Sequence, residues 1–228
     1  MLARLFLVRH GETEWSLSSR HTGRTEVPLT VNGERQARAL GGVLAGTVFA
    51  HVFSSAQLRA QRTCELAGAG GRMEIEPDLR EWDYGAYEGR RTVDIRELRP
   101  RWDIFRDGCP GGESPAQVSD RADRLLSRLH HLGGDVALFS HGHFGRVLGA
   151  RWLGLPLRGA RYFVLGPASL SILGHEHGRE GERVFELWND GPTYMAHRSA
   201  VIEPAPNAVA ISRWEGEGGE IPAASQPN

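Results

Sequence analysis

Two short apolar runs, each leading into a histidine and then a glycine, constrain the fold most. Residues 4–8 (RLFLV) precede Arg9 and His10, and residues 135–139 (DVALF) precede His141. Runs of this length that end at turn residues are typical of buried strands. Because helical patterns separate them, we predict a largely parallel sheet with helices on both faces.

The two histidines are expected to share one site. In open α/β sheets, ligands bind outside the carboxyl ends of the strands, and both imidazoles follow such an end. The glycine after each histidine lets the backbone turn tightly beside a ligand. Arg9 adds a guanidinium next to His10. We therefore predict that Arg9, His10 and His141 belong to one functional site, and that the two histidines are not separate structural residues.

Helix starts and apolar periodicity outline the remaining elements. Ser114 with Gln117, and Ser54 with Gln57, have the spacing of a capping box. The predicted helices cover residues 31–44, 54–66, 115–132 and about 142–153. The further predicted strands cover residues 47–53, 73–76, 161–173 and 183–188, with a hairpin at 174–181.

This pattern predicts an α/β three-layer sandwich whose central sheet is mostly parallel. The alternating elements fit one domain over residues 1–198. Residues 199–228 are rich in Gly, Pro, Glu and Ala and are expected to form a flexible tail.

Composition excludes several classes of function. All 27 basic residues are arginine, so a lysine Schiff base and a lysine-dependent P-loop are excluded, and anions must be bound by guanidinium groups. The net charge of −1 gives no general attraction to nucleic acid, and no apolar run reaches the roughly 20 residues of a membrane span. Cys64 and Cys109 form no disulfide framework. We expect a cytoplasmic protein without nucleic-acid or membrane partners.

An ordered series of motifs resembles the histidine phosphatase superfamily, the phosphoglycerate mutase-like proteins. The resemblance spans residues 4 to about 190. Its motifs are LVRHGET at 7–13, RHTG at 20–23, PLT at 28–30, SS at 54–55 with Arg59 and Thr63, LRE at 79–81, YG at 84–85, EG at 88–89, GES at 112–114 and SHG at 140–142. The resemblance implies the three-layer fold of that superfamily.

The resemblance also implies the roles of five catalytic residues. His10 would attack phosphorus and become a phosphohistidine. Glu81 would protonate the leaving oxygen and then deprotonate the attacking water. The donors to the transferred phosphoryl group would be Arg9, Arg59 and His141. The mechanism of this superfamily needs no metal and no cofactor.

The residues expected to bind phosphate around this centre are Ser16, Thr22, Gly23 and Gly142. Arg62 competes with Arg59, but Arg59 fits the motif better, and an ordinary exposed role is preferred for Arg62. Asp83 and Glu88 compete with Glu81, and loop hydrogen bonding is preferred for both. The pairs His141/His143 and His175/His177 supply two metal ligands each, so no metal site is expected.

Two departures favour hydrolysis over phosphoryl retention. Ser16 stands where the mutases usually carry asparagine, and His141 follows Glu81 by only 60 positions, where cofactor-dependent mutases carry a longer insert. A less covered site admits water more readily. The motifs look most like the acid phosphatases and sedoheptulose-1,7-bisphosphatases of the superfamily.

We therefore predict a phosphoric monoester hydrolase that acts on a small phosphorylated metabolite. A cofactor-dependent phosphoglycerate mutase is the alternative. A non-catalytic phospho-ligand binder is the second alternative, although none of the five catalytic residues is lost. The sequence leaves open whether the chain forms a homo-oligomer.

Overall fold

A computed structural model describes residues 4–179 and 181–191. Within these residues one sheet contains six strands in the order β3-β2-β4-β1-β5-β6. The strands are β1 (Leu5–Arg9), β2 (Phe49–Ser54), β3 (Met73–Ile75), β4 (Asp135–Ser140), β5 (Leu170–His175) and β6 (Arg183–Asp190). The pairs β1/β4, β2/β4 and β2/β3 are parallel, whereas β5 is antiparallel to β1 and β6 is antiparallel to β5.

The helices surround this sheet. They are α1 (Glu14–Leu17), α2 (Val31–Leu44), α3 (Leu58–Leu66), α4 (Thr92–Leu98), α5 (Ile104–Asp107), α6 (Pro115–His130) and α7 (Gly142–Trp152). Short 3₁₀ turns lie at Gly70–Arg72, Pro77–Leu79, Gly85–Tyr87, Leu157–Tyr162 and Glu176–Gly178. In the described residues, no helix combines the length and apolar character that a membrane span requires.

Alternate residues of β1 pack against opposite helical layers. Leu5 and Leu7 belong to a core that also contains side chains of α6 and α7. Phe6 and Val8 belong to a second core, shared with α2 and α3. Successive side chains of a strand point to opposite faces, so β1 is buried on both. The predicted α/β sandwich with helices on both faces of a mostly parallel sheet is confirmed.

Capping residues correctly predicted the starts of two helices, α6 and α2. Ser114 caps α6 in a full capping box with Gln117, and Pro115 takes the first helical position. Thr30 caps α2, since its side chain accepts a 2.9 Å hydrogen bond from the backbone of Gly33. Both starts agree with the prediction from sequence.

Two predicted boundaries were wrong. Ser54 does not start a helix: it is the last residue of β2, pairs with Phe139 of β4, and its carbonyl accepts from Glu76. The helix begins at Leu58 instead. The strand predicted over 161–173 begins only at Leu170, because Arg161 lies in a 3₁₀ turn and Pro167 interrupts the segment. The hairpin of β5 and β6 is confirmed. The tail predicted over 199–228 lies outside the described residues.

Candidate active site

Adjacent parallel strands bring the two motif histidines together. Arg9, the last residue of β1, pairs with Ser140, the last residue of β4. His10 and His141 follow directly, and their ring centroids are 5.2 Å apart. Both rings are buried. The carboxyl ends of β1 and β4 therefore build one site.

Hydrogen bonding and burial fix the tautomer of the His10 ring. Its Nδ1 lies 2.7 Å from the carbonyl oxygen of Gly11. A carbonyl can only accept, so Nδ1 carries the proton and Nε2 keeps its lone pair. Burial, and then the charges of Arg59 and Arg9, hold the pKa of His10 well below its ordinary value. The ring is thus neutral, the form that can attack phosphorus.

Arg59 holds the loop that follows His10 through three hydrogen bonds. It lies on α3, is 1% exposed, and donates to the carbonyls of Thr22, Gly23 and Thr25, each at 3.0 Å. Its Nε has no hydrogen-bond partner among the described residues. Its hydrogen-bond partners among the described residues are all neutral carbonyls, so its positive charge is available to an anion.

Arg9 is held by the segment around Leu165 and lies close to the start of α7. Its Nη1 donates to the carbonyl of Leu165, and its buried Nε lacks a partner within the described chain. A Cβ on Gly142 would lie 3.3 Å from Cζ of Arg9. Glycine therefore lets the start of α7 approach the guanidinium closely.

His141 is fixed by a hydrogen-bond chain from the end of β2. Its Nε2 lies 2.7 Å from Oγ of Ser55, which also bonds the Gln57 side chain. Nδ1 is buried and has no partner among the described residues. Burial, followed by the charges of Arg59, His10 and Arg9, lowers the pKa of His141 well below the usual range.

Ser55 has one hydroxyl proton, so it can donate to Gln57 or to His141 but not to both. When it donates to the Gln57 amide oxygen, it accepts from Nε2 of His141. Half a turn of that amide reverses the chain and leaves the His141 proton on Nδ1. The role of Ser55 was missed in the sequence, although its position directly after a strand was a usable signal.

Glu81 joins the site through the start of α7. Its Oε1 accepts from the backbone N–H groups of Trp82 (2.9 Å) and Phe144 (2.7 Å), and its Oε2 accepts from that of His143 (3.0 Å). The bonds from His143 and Phe144 satisfy donors that the first turn of α7 leaves free. The carboxylate is consequently fixed on the wall of the cavity that His10 also lines.

A buried ion pair supports the segment that carries Glu81. Arg121 is fully buried and binds both oxygens of Glu113, at 2.9 and 2.8 Å. The same guanidinium donates to the carbonyls of Asp78, Arg80 and Glu81. No sequence pattern pointed to Arg121, because its partner and its carbonyl acceptors come from separate segments.

A cavity of about 310 Å³ opens over this centre. Its walls are formed by Arg9, His10, Ser16, Ser19, Arg20, His21, Thr22, Glu81, Tyr84, Thr92, Gly142, His143, Arg146 and Leu165. Arg59 and His141 do not line it; they are buried beside His10.

The phosphate-binding residues expected from sequence divide into two groups. Ser16, Thr22 and Gly142 line the cavity. Gly23 does not, because its N–H donates to Glu88 at 2.8 Å and its carbonyl accepts from Arg59. Gly23 therefore links Glu88 and Arg59, the two side chains that hold this loop by hydrogen bonds.

The competing residues have structural partners. Arg62 is exposed and pairs with Glu34 and Glu65. Asp83 pairs with Arg24 at 2.7 Å. Glu88 accepts from the backbone of Gly23 and Thr25. These contacts agree with the ordinary roles preferred for them.

The histidine pairs do not gather further metal ligands. Nδ1 of His143 bonds the hydroxyl of Tyr84 at 2.7 Å, and His177 pairs with Glu176. Across residues 4–179 and 181–191, no group of three or more His, Cys, Asp or Glu side chains is placed to hold a metal.

The chain belongs to the histidine phosphatase superfamily (branch 1), whose family model matches residues 5–191. It is 46% identical over 179 residues to an acid phosphatase of Mycobacterium tuberculosis, covering 77% of this chain and 88% of that protein. It is 38% identical over 184 residues to sedoheptulose 1,7-bisphosphatase of Saccharomyces cerevisiae, covering 67% and 68%.

Other relatives, 33% identical, are named probable phosphoglycerate mutases in Salmonella strains, and cover 78% of this chain and 87% of theirs. Among solved structures, that of the open reading frame Rv3214 from Mycobacterium tuberculosis matches with a TM-score of 0.78 and 43% identity, over 83% of this chain and 98% of that one. This chain is a phosphatase enzyme of the superfamily.

Proposed function

We propose that this chain hydrolyses small phosphorylated metabolites without a metal ion, through a phosphohistidine on His10, with Glu81 as general acid and base. One observation carries the proposal. Three buried side-chain nitrogens lack a hydrogen-bond partner in the described residues, Nε of Arg9, Nε of Arg59 and Nδ1 of His141, and all three belong to residues around His10: its ring lies 5.2 Å from that of His141, and the charges of Arg59 and Arg9 lower its pKa.

Buried polar atoms without partners are rare, and each costs about 1–3 kcal/mol. A phosphoryl group beside His10 would accept from Arg9, which lines the cavity. The buried Arg59 and His141 would act from behind the cavity wall, Arg59 through its charge and His141 through Nδ1 when Ser55 donates to Nε2 of that ring. The arrangement therefore favours a tetrahedral anion at this position.

In the first step, the lone pair on Nε2 of His10 attacks phosphorus, and the bond between phosphorus and the ester oxygen breaks. The electron pair leaves with that oxygen, which takes the proton of Glu81 and departs as an alcohol. The products of this step are the free alcohol, a phosphohistidine and the Glu81 carboxylate. The guanidinium groups of Arg9 and Arg59 balance the charge on the phosphoryl oxygens.

In the second step, water attacks phosphorus and gives its proton to Glu81. The bond between phosphorus and Nε2 breaks, and His10 recovers its lone pair. Inorganic phosphate leaves, and the protonated Glu81 is ready for the next cycle. Glu81 can serve both steps because its three backbone hydrogen bonds hold it at one place on the cavity wall.

Hydrolysis is preferred over mutase activity for two reasons. Ser16, not asparagine, lines the cavity, and the 60-position segment that leads from Glu81 to His141 is short. With a short cover over the cavity, water can reach the phosphohistidine before a second phosphoryl acceptor binds. The acid phosphatase and bisphosphatase names of two relatives support the same choice.

The test is rapid mixing of the protein with a radiolabelled phosphomonoester in the presence of excess chelator. We expect acid-labile label on the unmodified protein and on the control variant His51→Ala, which alters a strand residue of β2, but none on His10→Ala. Equal labelling of His10→Ala would refute the assignment of the nucleophile, and loss of turnover in chelator would refute the metal-free mechanism.

The same protein is then given 3-phosphoglycerate with 2,3-bisphosphoglycerate. We expect release of inorganic phosphate. Rapid isomerisation with negligible phosphate release would support the mutase instead. Binding of phosphomonoesters without any turnover would support the non-catalytic phospho-ligand binder.

A further inference from the structure

We infer that Gln57 is a positioning residue for the reaction: its side-chain amide, acting through the hydroxyl of Ser55, decides which ring nitrogen of His141 carries the proton. The inference rests on the proposed function, because a proton on Nδ1 of His141 would be donated to the phosphoryl group. It depends on a chain of three side chains behind the cavity wall.

The chain joins the segment between β2 and α3 to the histidine that precedes α7. Nε2 of His141 lies 2.7 Å from Oγ of Ser55, and this Oγ bonds Oε1 of the Gln57 side chain. Ser55 and His141 are completely buried, and Gln57 is only 9% exposed. The backbone N–H of Gln57 also donates to Oγ of Ser55, at 3.4 Å. Because water has little access to Ser55 and His141, their hydrogen bonds must be made inside the protein.

The single hydroxyl proton of Ser55 orders this chain in one of two ways. When the amide oxygen of Gln57 faces Ser55, the hydroxyl donates to Gln57, and the ring proton of His141 lies on Nε2. When the amide nitrogen faces Ser55, it donates to the hydroxyl, the hydroxyl donates to Nε2, and the ring proton lies on Nδ1. A primary amide can present either atom with little change in shape. The side chain at position 57 therefore selects the tautomer of His141.

Only the second order makes His141 a donor toward the phosphoryl group. Its Nδ1 has no hydrogen-bond partner among the described residues, and its ring lies 5.2 Å from that of His10. A bare Nδ1 would present a lone pair to the phosphoryl oxygens and repel them, whereas a protonated Nδ1 would donate to them. An anion bound beside His10 should therefore turn the amide of Gln57 so that its nitrogen faces Ser55.

The charges around His141 leave its ring with one proton to place. The groups that act on the ring are Arg59 on α3, His10 and Arg9 at the end of β1, and Arg121 on α6. Together with burial, which has the larger effect, they hold the pKa of His141 well below its ordinary value. Beside Gln57, the carboxylate of Glu26 accepts from the backbone N–H of Leu58 at 3.1 Å. A neutral ring can donate from one nitrogen only, so the choice of nitrogen matters.

The experiment compares Gln57→Glu with Gln57→Leu. A carboxylate keeps the shape of the side chain but can only accept, so Ser55 must donate to it and the proton of His141 stays on Nε2. Leucine removes the competing acceptor and leaves Ser55 free to donate to His141. We expect Gln57→Glu to lower kcat at neutral pH by roughly 10- to 100-fold, as for one unpaired buried polar group, and Gln57→Leu to keep most of the native kcat. A purely structural role would give the reverse order, because glutamate matches glutamine more closely in shape.

The pH profile gives a second readout. Protonation of the introduced carboxyl group, or of the His141 ring, returns a proton to Nδ1, so the kcat of Gln57→Glu relative to the unmodified enzyme should rise as pH falls. Gln117→Glu is the matched control: it makes the same change on α6, outside the cavity, where the side-chain oxygen only accepts from the N–H of Ser114. Its kcat relative to the unmodified enzyme should not depend on pH.

The tautomer is read directly by NMR of the ring nitrogens in protein labelled with isotopic histidine, with the His141 signals assigned from His141→Asn. With inorganic phosphate bound, we expect the proton on Nδ1 in the unmodified protein and in Gln57→Leu, and on Nε2 in Gln57→Glu. If Gln57→Glu fails to fold, Ser55→Ala is measured in the same way. Loss of the donor to Nε2 should then leave both tautomers populated and lower kcat.

A proton on the same nitrogen of His141 in every variant, or a larger loss of kcat in Gln57→Leu than in Gln57→Glu, would overturn the positioning role. The proposed function fails separately, through absence of label on His10 of the unmodified protein. The NMR measurement uses inorganic phosphate and needs no turnover, so it tests Gln57 whichever way the labelling experiment falls.

Discussion

Glu81→Gln should separate the chemical role of this carboxylate from its structural role. The amide oxygen of glutamine can keep the two bonds from Trp82 and Phe144 that Oε1 accepts. The amide nitrogen then faces the N–H of His143, where Oε2 accepts at 3.0 Å. A buried donor is left without a partner, which costs about 1–3 kcal/mol of unfolding free energy. For a domain of this size we expect a fall in Tm of roughly 2–12 °C.

The chemical effect should depend on the leaving group. An alkoxide needs a proton to leave, and loss of a general acid costs roughly 10²- to 10⁴-fold in rate. Nitrophenolate leaves without one. We therefore expect Glu81→Gln to slow alkyl phosphate hydrolysis by that factor and nitrophenyl phosphate hydrolysis far less, as measured by steady-state kinetics on both substrates.

Glu88→Gln is the matched control, because Glu88 also accepts two backbone N–H groups but does not line the cavity. Both bonds go to Oε1 of Glu88, so the amide oxygen of glutamine can keep them, and we expect little change in Tm or in the ratio of the two rates. Equal slowing of both substrates by Glu81→Gln would refute the general-acid role and leave only the cap of α7; Asp83 would then be tested as the acid.

Two further predictions concern stability. Glu113→Gln removes one partner of the buried Glu113–Arg121 pair and should lower the unfolding free energy, measured in urea, by about 3–5 kcal/mol. The double variant with Arg121→Met should lose less than the sum of the two single losses, and strict additivity would contradict coupling of the pair. Because burial depresses the pKa of His21 to about 4, the unfolded chain takes up this proton first, so the contribution of His21 to the unfolding free energy should fall by about 3 kcal/mol from pH 6.5 to 4, and the other buried histidines add to that fall. A His21→Gln variant with the same pH slope would contradict this.

Short sequence patterns were sufficient to predict the strands that position His10 and His141. The run before His10 and the run before His141 were visible as strands, and their parallel pairing follows from the helices between them. The same kind of signal failed at Ser54, where a capping-box spacing competed with a β-ladder. The ladder prevailed because Ser54 completes pairing with β4, a contact that no short window contains.

The remaining parts of the site depend on contacts between distant segments. Glu113 and Arg121 hold the segment of Glu81 through carbonyls about 40 positions away. Arg146 is fixed by carbonyls that belong to the 3₁₀ turn at Leu157–Tyr162. Neither arrangement has a sequence period or a motif spacing, so single-sequence reasoning could bring His10 and His141 to one site but could not find the residues that orient it.

The position of the two histidines in the sheet has a consequence for dynamics. β4 and β1 are its two central strands, and the N–H of His10 donates to the carbonyl of Ser140 at 2.9 Å. Amides in such central strands exchange with solvent mainly through global unfolding, whereas edge strands open locally. The His10 amide should therefore be among the slowest to exchange, so fraying at the edges leaves His10 in place.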